Sequence, residues 1–257
     1  MRDLISFLTQ IPVGKDIKIE AVTAQSYLFP VVSLVIGAPV ALVAFLAFGY
    51  LGAAPEIAAL LTLLALYLIT GLIHLDGLSD FFDGLMAPGS KRDKVRAMKD
   101  HNMGVAGLCA TFFVLLLSLF AIETIGADLA AAAFGFNFIS FYTFASAFII
   151  AEVSAKLSMN TCMVLGKRFD GHEGLGALFI RSSSPRKYLA ALLYALLLAF
   201  LFTASVPVRF LIVLTGIVIA FLVSSIAKKK LGVMSGDVMG ASNELARSAT
   251  LLLWALL

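Results

Sequence analysis

Runs of apolar residues long enough to cross a bilayer set the limits on what this chain can fold into. A helix needs about 20 such residues to cover roughly 30 Å of hydrocarbon. Stretches of that kind run over residues 27–50, 56–75, 103–122, 128–151, 188–205 and 208–227. A seventh, 238–257, reaches across only if its polar beginning is counted with the apolar run from Leu245 to Leu257. Inside hydrocarbon every backbone N–H and C=O must be satisfied within the protein, so spans of this length fold as helices. Composition agrees, with 61% of the 257 residues hydrophobic and 14% charged, far from the balance of a water-soluble domain. The expectation is an all-α, polytopic transmembrane helical bundle of about seven spans, forming one integral membrane domain over residues 1–257. Glu152 to Gly166 is semi-polar and either extends the fourth helix or forms an interfacial one.

Charge placement orients the bundle, because lysine and arginine concentrate in cytoplasmic loops. With the N-terminus and its Arg2, Lys15 and Lys18 inside, the outer loops at Gly52–Pro55 and Glu123–Asp128 carry no basic residue. Lys91, Arg92, Lys94, Arg96 and Lys99 then fall inside, as do Lys156, Lys167, Arg168, Arg181, Arg186, Lys187 and Lys228–Lys230, with Arg247 near the same face. Of 19 basic residues only Arg209 lands outside. This reading puts the protein in the cell membrane with a cytoplasmic N-terminus. The first residues lack the apolar core and cleavage site of a signal peptide; Leu4, Ile5, Phe7, Leu8 and Ile11 follow helical spacing and suit a helix along the membrane surface. A net charge of +3, spread among loops, argues against a nucleic-acid partner. Cys109 and Cys162 sit in apolar segments without ligand spacing and read as buried small hydrophobes.

At the end of the second run comes GLIHLDGLSDFFDG, residues 71–84. If this stretch continues the preceding helix, Asp76, Asp80 and Asp83 fall on one face within about 20°. Three like charges there repel, and low-dielectric surroundings raise the cost. A divalent cation offsets it. Oxygen ligands without a cysteine or histidine cluster favour Mg²⁺, with Mn²⁺ as its substitute, and Mg²⁺ takes one or two carboxylates plus phosphate oxygens. The implied substrate carries phosphate. The plainer alternative is a solvated helix end.

Other clusters fall on the same side of the predicted bundle. Residues 90–107, SKRDKVRAMKDHNMGVAG, alternate charge at helical spacing and end on Lys99, Asp100, His101 and Asn102 beside two glycines. Such a basic segment suits phosphates, or is simply a positive-inside loop. Residues 235–247, SGDVMGASNELAR, set Asp237 and Glu244 seven apart on one face, with Gly240 and Ala241 between them to admit a second helix or a ligand. Ser235 or Asp237 alternatively serves as an N-cap. GHEGLGALF, residues 171–179, offers Gly174 and Gly176 in a glycine-rich loop able to lie over a ligand. His74 is either a partner of the aspartate site or a packed core histidine. Lys156 is an ionisable side chain in an apolar region, where function is the default reading.

HLDGLSDFFDGL at 74–85, MKDHNMGVAG at 98–107, EGLGALF at 173–179 and GDVMGASNE at 236–244, in this order in a polytopic chain, resemble the adenosylcobinamide-GDP ribazoletransferase family, also called cobalamin(-5′-phosphate) synthase. The resemblance implies Mg²⁺-dependent transfer from adenosylcobinamide-GDP to α-ribazole or its 5′-phosphate, with release of GMP, at the cytoplasmic membrane face. Beside it, the residues' own spacing makes Asp76, Asp80 and Asp83, on one helical face, the expected metal ligands. His74, Lys99, Asp100, Asn102, Lys156, Gly174, Gly176 and Asn243 become substrate-binding candidates. Asp83, Asp237 and Glu244 become catalytic ones, with Glu244, set deeper, as the expected general base and Asp237 kept ionised at a helix start. Membrane lipid is an expected partner, and the oligomeric state stays open between a monomer and a homo-oligomer. One alternative is a CDP-alcohol phosphotransferase, whose Ala-Arg after the Asp-Gly pair and later Gly-x3-Asp-x3-Asp are missing here. Another is a cation transporter, whose sites favour the bilayer midplane.

Overall fold

The computed structural model describes residues 1–14, 16–131, 138–169, 171–172, 174–203 and 207–257. Two short helices, α1 (Arg2–Leu8) and α2 (Ile19–Ala24), lead into α3 (Phe29–Phe45), α4 (Pro55–Thr70), α5 (Ile73–Met86) and α6 (Lys91–Met98). Then come α7 (Val105–Ala131), α8 (Phe138–Gly166), α9 (Gly174–Ser182), α10 (Pro185–Thr203), α11 (Thr215–Lys230) and α12 (Gly236–Leu256). Among the described residues the only strands are β1 (Gly171–His172) and β2 (Val233–Met234), paired in parallel with Gly171 opposite Val233. The all-helical membrane bundle expected from the sequence is what forms.

Among the described residues, five helical stretches are long and apolar enough to cross a membrane: Ser26–Tyr50, Val105–Ala127, Phe141–Gly166, Pro185–Thr203 and Val208–Lys230. The pair α4 and α5, bent by 94° at their junction, is a sixth candidate. The expected seventh crossing falls on α12, which is not among them because Asn243, Glu244 and Arg247 interrupt its apolar run. At 21 residues α12 still has the length of a span, about 30 Å. It is packed on α5, α7, α8 and α11 and so sits inside the bundle.

The fourth helix differs from the sequence expectation. Its apolar window is 89% buried, against 28% for Pro185–Thr203, so α8 is the central post on which α3, α10, α11 and α12 pack. Residues 152–166 extend it rather than forming an interfacial helix. The candidate span is therefore 141–166 instead of 128–151; part of the expected stretch, 132–137, lies outside the described residues. Glu152, Lys156 and Asn160 read from sequence as the end of an apolar run. The helix continues through them because they face protein partners. Lys156 thus lies within the bundle, fully buried, and not in a cytoplasmic loop. Glu123 likewise lies within α7 rather than in an outer loop.

Two smaller expectations also change. Cys109 is exposed on α7, while Cys162 is buried as expected. Helix α1 presses Leu4 and Leu8 fully into the protein, and its Phe7 ring lies 5.3 Å from that of Phe179. Its apolar face is spent on the bundle rather than on lipid.

The junction between α4 and α5 positions the site. Gly71 takes φ 69°, a left-handed region open to glycine at little cost, and the chain turns there. The backbone N–H of Gln10 donates to Ile69 at 2.7 Å, covering a carbonyl that the ended helix leaves exposed. The bend of 94° turns α5 away from the line of α4. The aspartate stretch does not continue the preceding helix, yet it is helical throughout, so the in-phase spacing of the three aspartates survives. His74, Gly77, Leu78, Ser79, Phe81 and Gly84 form the buried side of α5, which rests on α12, α7 and α6.

Close approach of α5 and α12 depends on two residues without side chains. A Cβ on Gly77 would lie 3.0 Å from the Asp237 Cα, and one on Gly240 would lie 3.1 Å from the His74 carbonyl oxygen. Gly240→Leu is therefore expected to cost about 2 kcal/mol or more, read as a lower unfolding midpoint in detergent. Gly52→Ala, whose Cβ meets open space at φ +57°, should cost only about 1 kcal/mol. Equal losses in the two variants would refute the close packing.

Candidate active site at the end of the bundle

The α5–α12 contact brings residues 160 positions apart in sequence to one place: Gly77 touches the backbone at Asp237. Asp80 feels this gathering. Its carboxyl is raised to about 6, first by burial and then by the charges of Asp76, Asp237 and Asp83. Asp83 has a second engagement. One of its oxygens accepts from the Gly104 N–H and the other from the Gly107 N–H, both at 2.8 Å. It caps the N-terminus of α7, where the helix dipole favours a negative charge. Both Asp83 oxygens are thereby engaged by backbone N–H groups, unlike the spacing-based grouping with Asp76 and Asp80. Among the described residues no three of His, Cys, Asp and Glu are set to hold a metal ion by themselves. A carboxylate pushed upward by three other carboxylates nonetheless fits a divalent cation completed by substrate oxygens.

Beside this cluster lies a cavity of about 270 Å³ whose wall includes His74, Lys99, Gly174, Gly176 and Asp237. The β1–β2 pairing holds the start of α9 against the start of α12, so the glycine-rich loop is brought to the site. Gly176 packs its backbone on Ser235 and Gly236. Ser235 is the N-cap of α12: its hydroxyl accepts from the Val238 N–H and donates to Asp237 at 3.1 Å. His74 is buried, and its Nδ1 has no hydrogen-bond partner among the described residues.

On the outside, the Asp100 carboxylate accepts from both the backbone and side-chain amides of Asn102 at 2.9 Å. This local turn gives both residues a structural role in shaping the approach to α7. Asp100 also borders an open depression with Arg92, Arg96, Lys99 and His101, a basic rim next to the acidic cluster. Helix α6, which carries the two arginines, is started by a reciprocal Ser90–Asp93 capping box.

Three sequence candidates lie elsewhere. Lys156, Asn243 and Glu244 belong to a network in the interior, between α8, α12 and α4. Arg247 grips Glu244 with Nη1 at 2.6 Å from both carboxylate oxygens, and its Nε donates to Glu152. Lys156 donates to Asn243 at 2.8 Å and pairs with Glu152 at 3.4 Å. The Tyr67 hydroxyl and the Asn243 amide complete Glu244, at 2.8 and 3.0 Å. All four charged groups are at most 2% exposed.

The comparisons decide the family. The cobalamin-5-phosphate synthase family model matches residues 1–255. The chain belongs to the cobalamin-5-phosphate synthase family. It is 34% identical to the adenosylcobinamide-GDP ribazoletransferase of Thermococcus onnurineus, over 99% of this chain and 97% of that relative. It is 33% identical to that of Methanococcoides burtonii over 98% and 90%, and 35% identical to that of Methanocella arvoryzae over 98% and 93%. No solved structure matches.

In this cobalamin-5-phosphate synthase family member the rim candidates gather at one place, whereas the interior ones are structural. Glu244 was expected to act as a desolvated base near the acceptor; instead its carboxylate is saturated by Arg247, Tyr67 and Asn243 and is sealed from solvent. Tyr67 and Arg247 were missed as its partners, and Glu152 as the partner of Arg247 and Lys156. The signal for two of them was present, since Glu152 and Lys156 are four apart and Glu244 and Arg247 three apart, the spacings of helical ion pairs. Two acids balance two bases. Glu244→Gln leaves Arg247 in excess and is expected to cost about 3–5 kcal/mol in unfolding. Adding Arg247→Met restores neutrality, with Glu152 left to Lys156, and should recover most of that loss. A single variant of unchanged stability would contradict the network.

Proposed function

We propose that the protein transfers the adenosylcobinamide-phosphate moiety of adenosylcobinamide-GDP to α-ribazole or its 5′-phosphate, releasing GMP and completing the nucleotide loop of cobalamin. Family membership and the names of its relatives support the reaction. The observation that carries the site is the meeting of the α5 aspartates with Asp237 beside Lys99 and a cavity at one end of the bundle. Asp76 and Asp80 are the residues that hold Mg²⁺ or Mn²⁺, with Asp237 within reach. The metal supplies charge neutralisation on the pyrophosphate. Lys99, with Arg92 and Arg96 on the rim, offsets the charge of departing GMP. Asp237 orients the attacking ribose hydroxyl and takes its proton, a role that passes to it because Glu244 is fully paired.

A cation transporter would need ionisable groups along an interior path. The interior charges here compensate one another in pairs, which supports the transferase reading. The excess of basic residues between α5 and α7 and in the last turn of α11 supports a cytoplasmic site. In a Cys109→Ser background, a cysteine at Gly89 and one at Ala53 should label from opposite sides of sealed vesicles, and same-side labelling would reject that orientation.

The pH dependence follows from Asp80. Below about 6 its carboxyl carries a proton that competes with the metal, so Mg²⁺-dependent GMP release should fall as pH drops through that value. Stability runs the other way. The native group binds its proton more tightly than the ordinary carboxylate near 3.8, so the metal-free protein loses stability as pH rises between those values. Asp80→Asn should therefore abolish GMP release while raising the unfolding midpoint of the metal-free protein at pH 7.5. Full turnover in Asp80→Asn would overturn the metal assignment.

A further inference from the structure

Lys99 lines two hollows at once. One is the cavity that it shares with Asp237 beside the acidic cluster. The other is the outer depression, of about 500 Å³, that it shares with Arg92, Val95, Arg96, Asp100 and His101. Arg92, Val95, Arg96 and Lys99 recur at helical spacing, so one face of α6 and its C-terminal end make the floor. A pyrophosphate held between the acidic cluster and Lys99 therefore has the cavity on one side and the depression on the other. Charge in the depression is mixed. Two guanidinium groups and an ammonium suit phosphate, and guanidinium planes also stack on flat bases. The one carboxylate among them, that of Asp100, does not suit phosphate and calls for another partner.

Asp100 is exposed, and its two oxygens are unevenly used. Oδ1 accepts from both amides of Asn102, which fixes the group in place, whereas Oδ2 accepts no hydrogen bond among the described residues. A fixed, negatively charged acceptor selects a ligand edge made of donors. Among the common nucleobases only guanine sets two donors side by side on its pairing edge, N1–H and the N2 amino group. Adenine sets a ring-nitrogen lone pair beside its amino group and would meet the carboxylate lone pair to lone pair. We infer that the outer depression is the subsite for the guanosine of the donor, with Asp100 Oδ2 accepting from the N1–H and N2 amino edge and Arg92 and Arg96 lying against the base and its phosphate. The subsite presupposes the reaction proposed above and adds to it the residue that reads the nucleotide. Asp100 is thereby a specificity-determining residue, and GMP departs on the outer side of Lys99 while the corrinoid phosphate stays with Asp237.

Equilibrium dialysis of GMP against the full chain in detergent with Mg²⁺, with AMP and IMP as competitors, tests this without the reaction. GMP should bind about tenfold more tightly than AMP, with IMP, which lacks the amino group, between them. Asp100→Asn keeps a carbonyl for the Asn102 amides and turns an amino group outward. It should weaken GMP about tenfold and leave AMP unchanged or tighter. Arg96→Gln should weaken both nucleotides alike, since it removes charge and leaves the reading of the edge intact. The order of the three nucleotides on the unaltered protein decides the matter even if Asp100→Asn does not fold. In turnover, GMP should compete with adenosylcobinamide-GDP and not with α-ribazole. Equal affinity for GMP and AMP, a GMP-to-AMP ratio preserved in Asp100→Asn, or competition against α-ribazole would overturn the subsite. Selective GMP binding without GMP release from the donor would support the subsite and reject the reaction instead.

Discussion

Arg247 and its two carboxylates fix the architecture. A guanidinium placed inside a membrane bundle cannot be left alone, because an unpaired charge in low dielectric costs several kcal/mol after every relaxation. Here it is held by Glu244 on its own helix and by Glu152 on α8. Its Cζ also lies 5.9 Å from the centre of the Tyr67 ring of α4. Three helices are thereby locked to one another by a single side chain. Hydrophobic matching alone would let α12 slide or rotate against α8, since lipid tails are as apolar as leucine. The ionic network removes that freedom and specifies both depth and rotation.

What that registration achieves appears at the other end of the same helix. Asp237 lies ten residues before Arg247, about 15 Å along the axis, so anchoring the arginine sets the height of the aspartate. Gly240 then allows the backbone of α12 to rest on that of α5 at His74. The 94° turn at Gly71 is the complementary device. It turns the aspartate helix off the line of α4, so that Asp76 is exposed while the buried side of the helix meets α12, α7 and α6. A straight continuation of α4 would have carried the same aspartates away from Asp237.

Much of this could be read from the residues, and the failures share one cause. Apolar length gave the helices, and in-phase aspartates survived the unforeseen break because a helix preserves its period whatever its direction. Gly240 and Ala241 pointed to a close helix contact, which forms. The errors came wherever a polar residue was judged without its partner. Glu152 opens a stretch that reads as either helix or interface, Lys156 reads as one of the cytoplasmic basic residues and as a substrate-binding candidate, and Glu244 reads as a base. Each would be so if it faced water or stood alone. Cross-helix pairing, which one sequence does not display, turns all three into interior structure. Asp83 is the same lesson in milder form: its spacing places it with Asp76 and Asp80, but the backbone N–H groups of Gly104 and Gly107, twenty-odd residues away, claim its oxygens.

The two acidic clusters of this protein are distinguished by charge balance rather than by residue type. In the interior, two carboxylates face an arginine and a lysine, and their oxygens are filled by protein donors. Such a group is complete, and a reaction that needed to draw a proton or a bond from it would first have to break an ion pair in low dielectric. At the rim, the charges that move Asp80 are all carboxylates. A fold can keep such a cluster only by protonating it, by leaving it partly hydrated or by taking a cation from outside. The first option is closed at neutral pH for a group near 6, and hydration alone leaves the repulsion unrelieved. Imbalance at the edge of a balanced bundle therefore supports the metal and phosphate site proposed above, and the same argument assigns the interior charges to holding that rim in place.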